Sequence, residues 1–201
     1  MRRRSANSAT VQSLPEFSAV LLAGGRSTRM GRDKALLGVA DALLWQRQHA
    51  VLVQAGAVEV FVSAREEQTW AVGPNVVRDS FPDCGPLGGI VAAADRATCS
   101  HLAVLAVDLP LIEASWFSGL LAESGANSGV VARQSGSGGF FEPLAAIYPH
   151  GFFGMAREAL INEDFSMQRL VRAAVARGLL SVHVLSAPES GLFMNWNTLT
   201  E

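Results

Sequence analysis

The residues best equipped for chemistry lie in one stretch, Ser18 to Gly38. An apolar segment, Ala19-Val20-Leu21-Leu22-Ala23, runs directly into Gly24 and Gly25, then into a basic, hydroxyl-rich loop with Arg26, Arg29, Arg32 and Lys34. Paired glycines let the backbone turn where a Cβ would clash and let its N–H groups approach an anion; the clustered cations suit a polyphosphate. Each feature also has an ordinary reading, because glycines and basic residues are common in surface loops. Spacing excludes two frequent phosphate-binding patterns. A Walker A loop closes on Gly-Lys-Ser/Thr, whereas Arg32-Asp33 stands between Gly31 and Lys34; a dinucleotide fingerprint needs Gly-x-Gly-x-x-Gly, which the run from Gly24 to Arg29 does not supply.

A second candidate is acidic. Leu102 to Val107, LAVLAV, predicts a central parallel strand buried on both faces, and Asp108-Leu109-Pro110 follows at once. A carboxylate at the C-terminal end of such a strand is where open α/β sheets place a metal ligand; the plainer alternative is a cap for a helix beginning near Glu113. Upstream, a short strand at Val76-Val77 ends at Asp79, and Gly85-Pro86-Leu87-Gly88-Gly89 opens a helix to about Ala97. Gly85 and Gly88 would let a flat ring approach the backbone, or mark only a turn and a helix start. Asn195 and Asn197 point to one side in extended geometry, so two carboxamides could meet a phosphate or metal, although asparagine is also a routine turn residue. Ser135 to Gly139 is a flexible loop expected to border a second substrate, and Glu142 stands either at the site's edge or in solvent.

These side chains need a frame of alternating strands and helices. Asp41 is placed to cap a helix running through Ala55, with Leu44, Val51, Leu52 and Ala55 inward and Gly56 just past its end. Val58 to Val62 predicts a strand, as do Gly129 to Arg133, Phe141 to Tyr148 and Leu180 to Leu185. Phe152 to Ile161 and Ser166 to Arg177 predict helices, the second with Met167, Leu170, Val171, Ala174 and Val175 on a core face and Gly178 as its stop. The alternation indicates an α/β open sheet.

With 201 residues, 49% hydrophobic and 17% charged, the chain suits one domain with a sizeable core. Residues 1–17 are expected to be a disordered extension and residues 18–201 the domain. The longest apolar runs fall far short of the ~20 residues that a membrane span requires. A net charge of -2 offers no general attraction to nucleic acid or anionic membrane, so phosphate affinity must be local. The N-terminus lacks the apolar run of a secretory signal, and the cytoplasm is the expected location. Cys84 and Cys99 form no CxxC pair and are expected to be reduced thiols.

From Leu22 to Ala35 the sequence resembles, nearly letter for letter, the signature of the MobA-like nucleotidyltransferases, roughly LAGGxSxRMGxDKALL. VVRDS, GPLGGI, the apolar strand ending in Asp108-Leu109-Pro110, and the C-terminal NWNT also match in order the molybdenum cofactor guanylyltransferases of that family. The resemblance implies a three-layer Rossmann-like nucleotidyltransferase fold with a mostly parallel central sheet. It implies transfer of GMP from GTP to the terminal phosphate of Mo-molybdopterin with release of pyrophosphate, a requirement for Mg²⁺, and apo-molybdoenzymes or other cofactor-assembly proteins as further partners. Carried over by position, Leu22, Ala23, Gly24 and Gly25 correspond to the GTP-contacting backbone, Lys34 to the lysine of the phosphate loop, Asp79 to a nucleotide-contacting aspartate and Asp108 to the Mg²⁺ ligand; Arg29 and Lys34 would neutralise the leaving phosphates. The chain departs from the pattern at Leu199, where the family usually has proline, and at Ser63, where some relatives carry asparagine. A cytidylyltransferase, a sugar-1-phosphate nucleotidyltransferase and a catalytically silent nucleotide-binding module stay open as alternatives.

Overall fold

The structure, a computed structural model, describes residues 15–25, 33–39, 41–78, 83–136 and 138–194. Its spine is a seven-stranded sheet. In chain order the strands and helices are β1 (Ser18–Leu22), β2 (Gly38–Val39), β3 (Ala42–Leu43), α1 (Leu44–Gln54), β4 (Glu59–Ser63), β5 (Val76–Val77), α2 (Pro86–Ala94) and β6 (His101–Ala106). They continue with α3 (Ala114–Glu123), β7 (Gly129–Arg133), β8 (Phe141–Pro149), α4 (Phe152–Ile161), α5 (Met167–Ala176), β9 (Leu180–Val184) and the short α6 (Ala187–Ser190). The sheet order is β5-β4-β1-β6-β8-β7-β9, parallel except at β8, which runs antiparallel to β6 and β7.

Side-chain alternation along the strands divides the core into two layers. Ala19 and Leu21 of β1 and Ala103 and Leu105 of β6 face α1 and α3, where they meet Leu44, Leu52, Trp116 and Phe117. Val20 and Leu22, with Leu102 and Val104, face α2, α4 and α5, where they meet Leu87, Ile90, Phe152 and Val171. Strands β1 and β6 are buried along their whole length, as expected of strands covered on both faces. The α/β open sheet inferred from the alternating pattern, and the three layers that the resemblance implied, are therefore present.

Four local expectations are corrected. Asp41 does not cap the first helix: β2 and β3 pair as a small antiparallel hairpin, Asp41 lies in its turn, and α1 begins at Leu44. There the Gln46 side chain, not that of Asp41, accepts from Leu43 N–H at 3.1 Å. The helix after Gly85-Pro86 ends at Ala94, not near Ala97. The central strand β6 has one antiparallel neighbour, β8, so it is not flanked by parallel strands on both sides. Finally, Phe17 belongs to the domain, since it is 3% exposed and its C=O accepts from Val58 N–H at 3.0 Å. Elsewhere the helix stop at Gly178 adopts φ +72°, and Ser166 caps α5 by accepting from Arg169 N–H. No helix among the described residues is long and apolar enough to cross a membrane.

Candidate active site

Register places the site. Leu22 pairs with Ser63 on one side and Ala106 on the other, so the C-terminal ends of three parallel strands finish in one row. Ala23 N–H donates to Ser63 C=O at 2.8 Å and Val107 N–H to Leu22 C=O at 3.0 Å, which carries the ladder one residue further before the loops diverge. Beyond that row a cleft of about 670 Å³ opens, lined among others by Gly24, Gly25, Lys34, Arg65, Gly85 and Asp108. Residues far apart in sequence thus share one concave surface at the strand ends, where ligands gather in open α/β sheets.

Gly24 and Gly25 are held by Arg65. Arg65, just past β4, donates from Nη1 to Gly24 C=O at 3.3 Å and Gly25 C=O at 3.0 Å, and its Nε pairs with Glu67 at 3.1 Å. Carbonyls bound to a guanidinium on one side leave the peptide N–H groups to face other partners. A Cβ at Gly24 would make only ordinary contact with Arg65 at 3.6 Å, and one at Gly25 would meet nothing within 4 Å among the described residues. Among those residues the expected clash of a Cβ is therefore absent, and Gly25 lines the cleft.

Lys34 opens a 3₁₀ turn, Lys34–Leu36, capped by Asp33 Oδ1, which accepts from Ala35 N–H at 3.0 Å. The other Asp33 oxygen accepts from Gln68 Nε2 at 2.8 Å and Trp70 Nε1 at 2.7 Å. Lys34 and Asp33 both line the cleft.

Across the cleft, Asp108 is half-buried just beyond β6 and engages no hydrogen bond or ion pair among the described residues. The turn that carries it is anchored by Gln48, a fully buried residue of α1 whose Nε2 donates to Leu109 C=O at 2.6 Å. No group of three or more His, Cys, Asp or Glu among the described residues could by itself enclose a metal. A lone uncommitted carboxylate fits a hard cation that takes its remaining ligands from substrate oxygens and water.

The third wall is the start of α2. Gly85 precedes the helix at φ +65°, a conformation that disfavours a side chain, and Pro86 occupies the first turn. Gly85 lines the cleft; Gly88 is buried within α2, and it is Gly89 that reaches the cleft wall. Gly89 is packed rather than open: a Cβ there would lie 2.2 Å from Ser63 Oγ and 3.1 Å from Leu22 Cδ2. The glycine thus lets α2 sit directly on β1 and β4.

Of the residues singled out from sequence, Leu22, Ala23, Gly24, Gly25, Lys34, Gly85 and Asp108 line this cleft. Arg29, Asp79, Asn195 and Asn197 lie outside the described residues. Glu142 is half-buried beside Gln134, whose Nε2 donates to it at 2.7 Å; burial raises its pKa and that hydrogen bond opposes the rise. Leu144, on the same strand, lines the cleft, and Glu142 does not. Sequence reasoning passed over Arg65, Gln68, Trp70 and Arg78. A polar run, Arg65-Glu66-Glu67-Gln68, immediately after an apolar strand was the available signal, because strand ends supply site loops in this class of sheet.

Residues 19–178 match the family of the MobA-like NTP transferase domain. The chain belongs to that family. The probable molybdenum cofactor guanylyltransferase of Opitutus terrae is 42% identical over 185 residues, covering 90% of each chain. The molybdenum cofactor guanylyltransferase of Pseudomonas putida is 31% identical over 170 residues, 83% of this chain and 87% of that one. Among solved structures, molybdopterin-guanine dinucleotide biosynthesis protein A from Archaeoglobus fulgidus superposes with a TM-score of 0.68 at 18% identity, covering 90% of this chain and 92% of its own, a likeness of fold. The MobA-like match spans β1 through α5 and so takes in all three walls of the cleft.

Proposed function

We propose that this chain transfers GMP from GTP to the terminal phosphate of Mo-molybdopterin, forming molybdopterin guanine dinucleotide and pyrophosphate. The observation that carries the assignment is the convergence of Gly24–Gly25, Lys34 and Asp108 on one cleft, in a chain whose relatives of nearly equal length bear the guanylyltransferase name. The acceptor phosphate is largely ionised near neutrality, so its oxygen attacks the α-phosphorus without a general base. The bond between that phosphorus and the β-bridging oxygen breaks, and pyrophosphate departs with the electron pair. The barrier is chiefly charge repulsion at an already anionic centre. The glycine turn supplies backbone donors without side-chain bulk, and Lys34 answers the charge growing on the leaving group; Arg29 is assigned the same task. Asp108 would hold Mg²⁺, which when bound supplies charge neutralisation between the α-phosphate and the departing pyrophosphate. The Gly85–Gly89 wall is assigned to the guanine, with Asp79 as a further nucleotide contact, and Asn195 and Asn197 to phosphate or the second substrate. The product's recipients would be apo-molybdoenzymes or cofactor-assembly proteins in the cytoplasm.

Incubation with GTP and Mo-molybdopterin, with mass detection of the dinucleotide product, tests the assignment; product formed from CTP but not GTP would reject it in favour of the cytidylyl form. Lys34→Ala is expected to lower turnover by about 10²-fold or more with the melting temperature unchanged, as loss of one preorganised charge stabiliser does. Pyrophosphate release at the wild-type rate from that variant would remove Lys34 from the mechanism.

A further inference from the structure

Ala23 and Asp33 stand at either end of the glycine and basic segment, yet one buried side chain holds both. Gln68 is 3% exposed. Its Nε2 donates to Ala23 C=O at 3.0 Å and to Asp33 Oδ2 at 2.8 Å, and its Oε1 accepts from Arg65 N–H at 2.7 Å. A carboxamide has two N–H groups and one acceptor oxygen, and here each is used. Leucine at this position would lose all three bonds, and glutamate would set a carboxylate against Asp33. The same Asp33 oxygen also receives the Trp70 indole N–H at 2.7 Å, and Trp70 in turn packs on Trp45 with ring centres 5.2 Å apart. Capping the 3₁₀ turn needs only the Ala35 contact, so the Oδ2 bonds do something more. What they join is specific: Ala23 leads into the glycine turn, and Asp33 immediately precedes Lys34, both on the cleft wall.

We infer that Gln68 and Asp33 are positioning residues for nucleotidyl transfer, their hydrogen bond holding the glycine turn and the Lys34 amine at the separation a bound triphosphate requires. The inference rests on the nucleotidyl-transfer assignment above. Gln68 touches neither substrate; it acts through Ala23 and Asp33. Arg65 shares in the device, since its N–H binds Gln68 while its guanidinium binds the carbonyls of Gly24 and Gly25.

The test is steady-state kinetics with GTP and Mo-molybdopterin on wild type, Gln68→Leu, Asp33→Ser and the double variant, with GTP binding and thermal melting measured alongside. Asp33→Ser keeps an oxygen for Ala35 N–H but is too short to reach Gln68 and Trp70, so it separates the cap from the bridge. Each single variant is expected to lose about 10²-fold in kcat/KM for GTP, the scale of a small misplacement of reacting groups, with KM for Mo-molybdopterin unchanged. The double variant should fall no further than the weaker single one, because both substitutions break one link. Wild-type kcat/KM for GTP in either variant overturns the inference. So do losses that multiply in the double variant, or losses that follow the unfolded fraction and affect both substrates alike. Should Gln68→Leu not fold, Asp33→Ser decides the matter by the same split between substrates. A wild-type chain that neither binds nor uses GTP defeats the guanylyl assignment instead; the bridge is then judged on whichever of CTP, UTP or ATP it does use, and a chain that uses none defeats both.

Discussion

At the scale of single residues, Gly25 and Gly89 do opposite work at the cleft. Among the described residues nothing lies within 4 Å of a Cβ built on Gly25, whereas a Cβ on Gly89 would collide with Ser63. Gly25→Ala is therefore expected to leave the melting temperature unchanged while weakening GTP binding by about tenfold, measured by titration calorimetry. Gly89→Ala should instead cost about 1–3 kcal/mol of stability through overpacking, with part regained in Gly89→Ala/Ser63→Gly, as read by denaturant unfolding. Equal destabilisation by both alanines would erase the distinction. The sequence alone makes these glycines look alike; which atoms lie opposite each Cα depends on how β4 and α2 come to rest.

Elements are coupled to the site through buried carboxamides. Gln48 extends from α1 to the Asp108 turn with one hydrogen bond, and its Oε1 has no partner among the described residues. An unsatisfied buried acceptor opposes stability by about 1–3 kcal/mol, so packing alone would favour an apolar residue there. Gln48→Leu should accordingly match or exceed the wild-type melting temperature, yet raise the Mg²⁺ concentration for half-maximal pyrophosphate release by about tenfold, as loss of a residue supporting a metal ligand does. An unaltered metal titration would show that the Leu109 contact does not tune Asp108. On a helix otherwise read from its apolar stripe, Gln48 offered no warning of this role, because periodicity marks the buried face without naming what that face must bond.

In the whole molecule, the far end of the chain is fastened by a histidine. His183 on β9 bonds Glu123 of α3 at 2.8 Å and Glu189 of α6 at 3.1 Å. Burial by itself would lower its pKa, but the two carboxylates outweigh burial and hold it raised. A histidine with a raised folded-state pKa contributes stability in full below its unfolded value of about 6.5 and loses it as pH rises through the folded value. The melting-temperature advantage of wild type over His183→Gln should thus be larger near pH 6 than near pH 8, by a modest margin because the groups are partly solvated. An advantage that grows with pH would contradict this sign.

Local chemistry settled a good deal. The apolar β1 and β6, the carboxylate after β6, and the helix α5 bounded by Ser166 and Gly178 follow from side-chain pattern and backbone preference, which act over a few neighbouring residues. The resemblance of Leu22 to Ala35 to the MobA-like signature is of the same kind, since it rests on contiguous letters. Tertiary structure alone decided that the Arg65–Trp70 segment holds the Gly24–Gly25 and Asp33 side of the cleft, that Gly89 and not Gly88 reaches its wall, and that β8 runs against its neighbours. Those outcomes depend on pairings between residues remote in the chain, whose partners exist only once the strands have taken their order in the sheet.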